Sequence, residues 1–493
     1  MSDPEFRRLH ARMLLVHPVQ EAVRLFPALL AVFVTGRTSG RSPWWDVAAF
    51  IAVVALGVSR WFTTRYRITG GQIELRTGLL NRKLLATPAD RVRTVDVTAP
   101  IWHRLLGLAR VEIGTASGTP SERIVLDALA APIAHALRAE LLHGKEIRAS
   151  DAGLVGPEPT SVGTGSESLL LQLDPRWLRY APLTTSGLLT ALALWGFAVQ
   201  FIGAVTGPIE AAFDQFRAWG VWITVIVLVS AATVWVALLA VTAYVLAYWD
   251  FRLTRHPGGT LHTSRGLLTT RSTSIEEGRI RGVELAQPLL LRLARAAHLS
   301  AITTGLRHAE PGGGAGVAPL VPPAPQQVSI DVGVAVLGDP EPLRVALVGH
   351  GPAARRRRYV RALLPAVALA AIAGFLEWRF DLPLAATAVG FLLLLTAPFL
   401  AADRYTGLGH TLLERYLVTQ EGSVYRRRVA LQRDGIVGVV VRESYFQRRA
   451  GVATVVAATA AGRQGYAVLD APAPDADRLV AELIPQASDF RDG

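Results

Sequence analysis

The chain has 493 residues, 51% of them hydrophobic and 18% charged, with 51 Lys and Arg against 39 Asp and Glu for a net charge of +12. That apolar content excludes disorder over most of the length and exceeds what an ordinary soluble enzyme carries. The absence of cysteine excludes disulfides, thiolate zinc sites, iron–sulfur clusters and cysteine nucleophiles.

Taken in chain order, six stretches are almost free of charge: residues 25–34, 47–58, 183–205, 221–248, 362–376 and 382–402. The third, fourth and sixth reach the roughly 20 apolar residues that cross a hydrocarbon core of about 30 Å. The first, second and fifth are shorter. The first two either extend through their flanks (Val16–Phe26, Trp44–Phe62) or form a shallow re-entrant hairpin. Tryptophans stand at block edges (Trp44, Trp45, Trp61, Trp219, Trp249, Trp378), as an interfacial belt requires. Short turns at 35–43, 206–218 and 377–381 join the blocks in pairs, which leaves every long segment on the side of the N-terminus. Those turns hold only Arg37, Arg41, Arg217 and Arg379 of the 51 basic residues. The positive-inside bias therefore predicts a multi-pass protein of the cell membrane with both termini and all long segments cytoplasmic.

The soluble stretches repeat. A cytoplasmic segment (1–20) leads into a first hairpin (21–62), a unit at 63–145 and a Gly/Ser/Pro-rich linker (146–178). A second hairpin (179–249) and unit (250–345) follow, then a basic linker (346–360), a third hairpin (361–402) and a third unit (403–487). The hairpins open alike, with RLFP (Arg24–Pro27), RYAP (Arg179–Pro182) and RALLP (Arg361–Pro365). The units open with YRIT (Tyr66–Thr69), FRLT (Phe251–Thr254) and YLVT (Tyr416–Thr419). Next come RTGLLNRK (Arg76–Lys83), SRGLLTTR (Ser264–Arg271) and the weaker SVYRRRVAL (Ser423–Leu431). An ungapped frame ties them: nine positions separate Val95 from Arg104, Val283 from Arg292 and Val439 from Arg448, and eleven more lead to Thr115, Thr303 and Thr459. The first and third units share VLDA (Val125–Ala128, Val468–Ala471) before amphipathic segments at 132–142 and 474–484. Such repetition sets the architecture. Within each unit, alternating runs bounded by Gly, Pro or Thr predict about seven short strands and one closing helix.

Aromatic-x-[IL]-T, RxGLL, RVRTV and a HRLLGLARVEI-like segment, in that order beside membrane hairpins, resemble the bacterial pleckstrin-homology-like membrane proteins (the DUF304 or bacterial PH domain 2 family), in particular the multi-module YdbT-type members. The resemblance spans about Val19 to Ile484. It implies six transmembrane helices in three hairpins, each followed by a PH-like antiparallel β-barrel, partly open and capped by a C-terminal helix.

No motif points to catalysis. The eleven histidines form no HExxH or H-x₃-H pair. GTASG (Gly114–Gly118) displaces the serine of a nucleophile elbow, and PGGGAG (Pro311–Gly316) lacks the GK[ST] of a phosphate loop. Asp90, Asp96 and Asp127 read as turn and strand-end residues. A transporter would place ionisable groups at membrane depth, and the six blocks contain none.

The arginines carry what binding chemistry there is. Arg91, Arg93, Arg279 and Arg281 alternate with Val or Ile, a pattern that sets each pair on one strand face. Guanidinium groups there suit a lipid headgroup or an acidic partner. The third unit reads DGIVGV (Asp434–Val439) and lacks both. Arg104, Arg292 and Arg448, which recur in all three units, are read as structural, each tying its loop down. Arg355, Arg356, Arg357, Arg358 and Arg361 form a basic cluster beside a membrane helix, read first as a topology determinant and second as a surface for anionic lipid. The expectation is a non-enzymatic scaffold for protein partners at the membrane, with no cofactor, metal or nucleic acid. Its expected partners are the bilayer, a smaller membrane protein of the same family and anionic phospholipid. Lipid-headgroup binding is the first alternative and a transporter component the second.

Overall fold

Alternation sets the strands. In β3 (Gln72–Thr77), Ile73 and Leu75 are buried, and Glu74 between them pairs with Arg67 of β2 (Arg65–Thr69) at 2.8 Å. Arg67 and Glu74 stand directly opposite each other, the arrangement in which cross-strand charge pairs stabilise a sheet. The computed structural model describes residues 7–8, 10, 12–14, 44, 64–69, 72–77, 83–88, 92–115, 124–134, 136–137, 167–184, 221–304, 317–380 and 384–484. The chain forms two units, one of Met1–Leu169 and Leu246–Ile275, the other of Leu170–Val245 and Glu276–Gly493.

In the first unit, β1 (Arg7–Arg8), β2, β3 and β4 (Lys83–Pro88) make an antiparallel sheet in chain order. A second sheet starts with β5 (Val92–Ala99), β6 (Leu108–Thr115) and β7 (Ile124–Ala130), with α1 (Ile101–Leu105) in the β5–β6 connection. Ile73 and Leu75 from the first sheet share a core with Val95, Val97, Val111 and Ile113 from the second. Ala134 and Leu137, in the helical residues after β7, join it. Each buried Val, Ile or Leu contributes about 1.5–3 kcal/mol over exposure. The module is thus two antiparallel sheets face to face with a helix at the end.

The second sheet does not stop at β5. It continues into the next repeat through β11 (Thr270–Glu276), with Val95 opposite Ser274 and Ala99 opposite Thr270. Beyond β11 lie β10 (Thr260–Arg265), β9 (Arg252–His256) and the short β8 (Ser168–Gln172). The stretch expected as a linker over 146–178 thus contains β8 and the start of a 3₁₀ segment, Pro175–Leu183, that buries Trp177 and Tyr180.

The second unit repeats the construction. Strands β12 (Ile280–Pro288), β13 (Ala296–Thr303) and β14 (Val317–Pro325), with α3 (Leu289–Leu293) in the β12–β13 connection, come from the second repeat. β12 pairs with β17 (Tyr425–Gln432) of the third, Val283 opposite Ala430, and β16 (Tyr416–Glu421) and β15 (Gly409–Leu412) complete six strands. The last three strands, β18 (Ile436–Arg442), β19 (Val452–Thr459) and β20 (Gly465–Pro472), stand as a separate sheet. Leu417 and Leu431 of the six-stranded sheet pack with Val455 and Val468 of the three-stranded one. After β14 come α4 (Gln326–Leu337) and α5 (Glu341–Arg344). α8 (Tyr445–Ala450) bridges β18 to β19, and α9 (Ala473–Leu483) follows β20 with Leu479 in the same core.

Among the described residues, three helices are long and apolar enough to cross a membrane: α2 (Val221–Tyr248), α6 (Gly351–Phe380) and α7 (Leu384–Thr406). At 1.5 Å per residue the 28 residues of α2 extend about 42 Å, beyond the ~30 Å of hydrocarbon. Leu238, Leu364, Phe375, Leu395 and Phe399 are exposed on these helices, as side chains facing lipid would be. α6 and α7 meet where Gly390 lies against Ala370 and Ala373, the small-residue contact that lets membrane helices approach. These helices contain the fourth, fifth and sixth apolar blocks. The first two blocks, and the third beyond its opening residues, lie outside the described residues. α6 starts at Gly351, so the basic cluster occupies its first turns.

Two sequence alignments shift in the structure. Gly266 (φ +106°) and Gly422 (φ +100°) close equivalent hairpins, and a Cβ on either would stand 2.1 or 2.0 Å from a carbonyl oxygen. The third counterpart of SRGLLTTR is therefore QEGSVYRR (Gln420–Arg427), three residues before the match read from sequence. The VLDA pair also slips by one. Ladder register sets Leu126 opposite Val111 and Val468 opposite Val455, which makes Ala128 (φ +62°) the counterpart of Asp470 (φ +54°).

Candidate inter-repeat interface and basic cluster

The fixed frame has a physical origin in a loop built three times. The residue three positions after each recurrent arginine has positive φ: Gly107 (+69°), Arg295 (+53°) and Gly451 (+65°). Its carbonyl accepts from the first amide after the closing strand. Ala131 N–H donates to Gly107 O at 2.9 Å, Gln326 to Arg295 at 2.9 Å and Ala473 to Gly451 at 3.0 Å. That bond fixes where the closing helix starts.

The arginines themselves reach into the following repeat. Arg104 Nη1 donates to Leu267 O at 2.6 Å. Arg292 Nη1 donates to Ser423 O at 3.3 Å, and its Nη2 lies 2.7 Å from Asp403 Oδ1 near the end of α7. Leu267 and Ser423 each follow the hairpin glycine, so the two contacts are one contact made twice. Arg426 Nη2 (3.1 Å) and Ser423 Oγ (2.8 Å) also hold Asp403. Arg448 makes no such contact among the described residues. It is exposed, with no side-chain hydrogen bond or ion pair among the described residues.

The position before each arginine is polar in the outer repeats and apolar in the middle one. Buried His103 Nε2 lies 3.0 Å from Asp127 Oδ1, and Gln447 Nε2 donates to Asp470 Oδ1 at 2.8 Å. Leu291 takes that place in the second repeat, fully buried. Asp127, read from sequence as a strand-end residue, is thus a loop anchor.

In the second unit the strand arginines do not form the paired face that alternation predicts. Arg91 lies outside the described residues, as does the side chain of Arg93. Arg279 ends a 3₁₀ turn before β12 and pairs with Glu276 at 2.6 Å. Arg93 and Arg281 each occupy a β-bulge, between Val92 and Thr94 and between Ile280 and Gly282, and Val437 occupies the third. A bulge inserts one residue and breaks the two-residue period, so sequence alternation fails there. Arg281 lies along Gly435 of the third repeat.

The α6 cluster divides. Arg357 Nε and Arg358 Nη2 stand 3.1 and 2.7 Å from the Asp470 carboxylate, which is 2% exposed. Arg355, Arg356 and Arg361 are exposed. Just before the helix, His350 Nδ1 contacts Leu469 O at 2.7 Å and its Nε2 contacts His410 Nδ1 at 2.8 Å. A carbonyl only accepts, so His350 carries its proton on Nδ1 and takes an N–H from His410 at Nε2. Burial, then the neighbouring His410, holds His350 down at about 4. Asp470 and Leu469 of β20 thereby clamp the entry of a membrane helix, a role no spacing in the sequence announces.

Beneath the Arg104 contact is a cavity of about 490 Å³ whose lining includes Arg104, Arg265, Arg271, His262 and Trp249. Arg265 stacks over Tyr248, its Cζ 5.3 Å from the ring centroid, and buried Glu284 in β12 pairs with Arg463 at 3.1 Å.

Comparison with known proteins agrees with this repetition. The family model described as Bacterial PH domain matches three times, at residues 22–145, 197–328 and 358–487. The UPF0699 transmembrane protein YdbT of Bacillus subtilis (strain 168) is 20% identical over 264 residues, 52% of this chain and 52% of that protein. The chain thus spans about half the length of this curated relative. No solved structure matches. Three matches covering most of the chain, on three copies of the same loop and strand set, make this a membrane protein with repeated PH-like modules that belongs to the bacterial PH domain family.

Proposed function

We propose that the protein is a non-enzymatic scaffold of the cell membrane. In this reading three hairpins supply six spans, both termini face the cytoplasm, and three partly open, helix-capped barrels are displayed there to protein partners. One observation supports it above the others: in both internal joints the module surface is used for protein contact, through strand pairing and a recurrent arginine. A photoreactive residue at Val437, which is 78% exposed, tests this in cells. A protein adduct is expected, and an adduct to lipid alone overturns the scaffold reading. The chain is cysteine-free, so a single cysteine at exposed Glu443 reports orientation. Impermeant maleimide should label it in inverted vesicles and not in intact cells.

The cavity favours a second reading, anionic headgroup binding in the first unit. Three guanidinium groups and a histidine line it beside Trp249 at the end of a membrane helix, where headgroups lie. Phosphatidylglycerol should then raise the melting temperature in detergent more than phosphatidylcholine does, and Arg271→Gln should erase the difference.

A further inference from the structure

The same joint is made twice between successive repeats, and the first and third repeats each carry an unpaired half of it among the described residues. β5 pairs with β11 and β12 with β17, in one register: Val95 opposite Ser274, and Val283 opposite Ala430. β18, the counterpart of β5 and β12, is the outer strand of its sheet. β4, the counterpart of β11 and β17, is likewise the outer strand of its own. Among the described residues neither has a partner along that edge.

The free edge of β18 has the character of the covered ones. Val441 is 44% exposed, whereas its counterparts Val97 and Leu285 are 4% and 3% exposed. Gly438 retains the glycine of Gly282. At Gly282 a Cβ would stand 2.1 Å from Ala430 O of the paired strand, and at Gly438 it would meet nothing within 4 Å. The first repeat has Thr94 there, and its ladder stops one residue short, at Val95. Arg448, the third copy of the clasp, is exposed beside Tyr445 and Phe446, also exposed. An apolar strand edge without proline or lysine is an adhesive surface unless something covers it.

We propose that copies of this chain join head to tail, β18 of one copy pairing antiparallel with β4 of the next and Arg448 reaching the hairpin that precedes β4. The internal register transfers directly. Val439 falls opposite Ala86, Val440 opposite Leu85, Val441 opposite Leu84 and Gly438 opposite Thr87. Leu84 is 55% exposed, an apolar residue where β11 and β17 carry Ser272 and Arg428. Val441 and Leu84 thus match each other across this joint. Arg442 falls opposite Lys83, the one like-charge step, at the end of the ladder beside Glu443. The joint deepens the scaffold reading by naming the partner as a second copy.

The absence of native cysteine makes the test clean. Two differently tagged full-length chains are co-expressed in membranes, one with Val441→Cys and the other with Leu84→Cys, and oxidised. An inter-chain disulfide is expected. Val440→Cys with Leu84→Cys, one residue out of register and on the opposite face, should give little. Arg448→Ala should weaken association roughly tenfold, the equivalent of one charge-assisted hydrogen bond. Equal yields in and out of register, or cross-linking only between two Val441→Cys chains, overturn the joint. A Val437 photoadduct to a different protein, with no in-register disulfide, overturns the joint and leaves the scaffold reading standing. The cysteine sites are half-exposed strand positions and Arg448 is an exposed residue of α8, so the variants should fold as the parent does.

Discussion

Replacing Arg292 with alanine should cost more stability than the same change at either of its sequence counterparts. Arg292 makes a charge-assisted contact of 2.7 Å with Asp403 and a longer bond of 3.3 Å to Ser423 O. A hydrogen bond to a charged group contributes about 1.5–3 kcal/mol. The two side chains are 20% and 29% exposed, and Asp403 keeps Arg426 and Ser423, so no charge is stranded. The expected loss is therefore about 1–2 kcal/mol, or roughly 2–4 °C in a unit of this size. Arg104→Ala removes one bond to a neutral carbonyl and should cost about 1 kcal/mol. Arg448→Ala removes no side-chain bond among the described residues and should stay within about 0.5 kcal/mol. Tryptophan fluorescence during thermal unfolding in detergent, at fixed scan rate and dilute protein, reads all three. Equal losses at the three positions, or the largest at Arg448, would refute the claim that these arginines act on the following repeat.

Asp470→Ala should destabilise by about 3–5 kcal/mol, because it leaves Arg357 and Arg358 partly buried without their counter-ion; denaturant titration measures it. Gly422→Ala should cost about 1–3 kcal/mol by forcing a Cβ against Tyr425 O at φ +100°, and a neutral result in the same titration would remove the hairpin argument. Burial holds His298 and His350 at about 4, below the ordinary 6.5, so the unfolded chain binds their protons first as pH falls. Their stabilisation is complete above 6.5 and is lost on descending toward 4, at up to about 1.4 kcal/mol per pH unit each. His350→Gln should flatten that slope. Glu284 works in the opposite sense. Burial raises it to about 7, against the pull of Arg427, so its contribution favours the fold at low pH and is lost as pH rises from 4.5 through 7. Glu284→Gln should therefore steepen the acid limb.

The frame from Val95 to Arg104 was legible because every copy must build the same positive-φ loop and the same bond to its closing helix, so spacing survives where identity does not. The apolar helices α2, α6 and α7 were legible for a simpler reason, since length and hydropathy suffice. Strand partnership was not. Hydrophobic alternation states which face of β5 is buried and says nothing about whether Val95 lies opposite β4 or β11. The bulges at Arg93 and Arg281 were hidden too, because an inserted residue is defined only against the neighbouring strand. The clamp of Asp470 on Arg357 and Arg358 joins residues more than a hundred positions apart with no motif in common. The shared VLDA tetrapeptide pairs Asp470 with Asp127, whereas ladder register pairs it with Ala128.

Because β5 belongs to one sheet with β11, and β12 to one sheet with β17, the sequence repeat is not the part that can be cut out. A fragment ending at residue 145 severs β5 from its neighbour and leaves a raw apolar edge on an otherwise sound module. One that runs on through Ile275 carries the first joint whole. Dissection of this protein, whether by protease, by gene truncation or by recombination between relatives, should therefore be tolerated in the middle of a repeat, between its third and fourth strands, and punished at the boundaries that the sequence repeat marks.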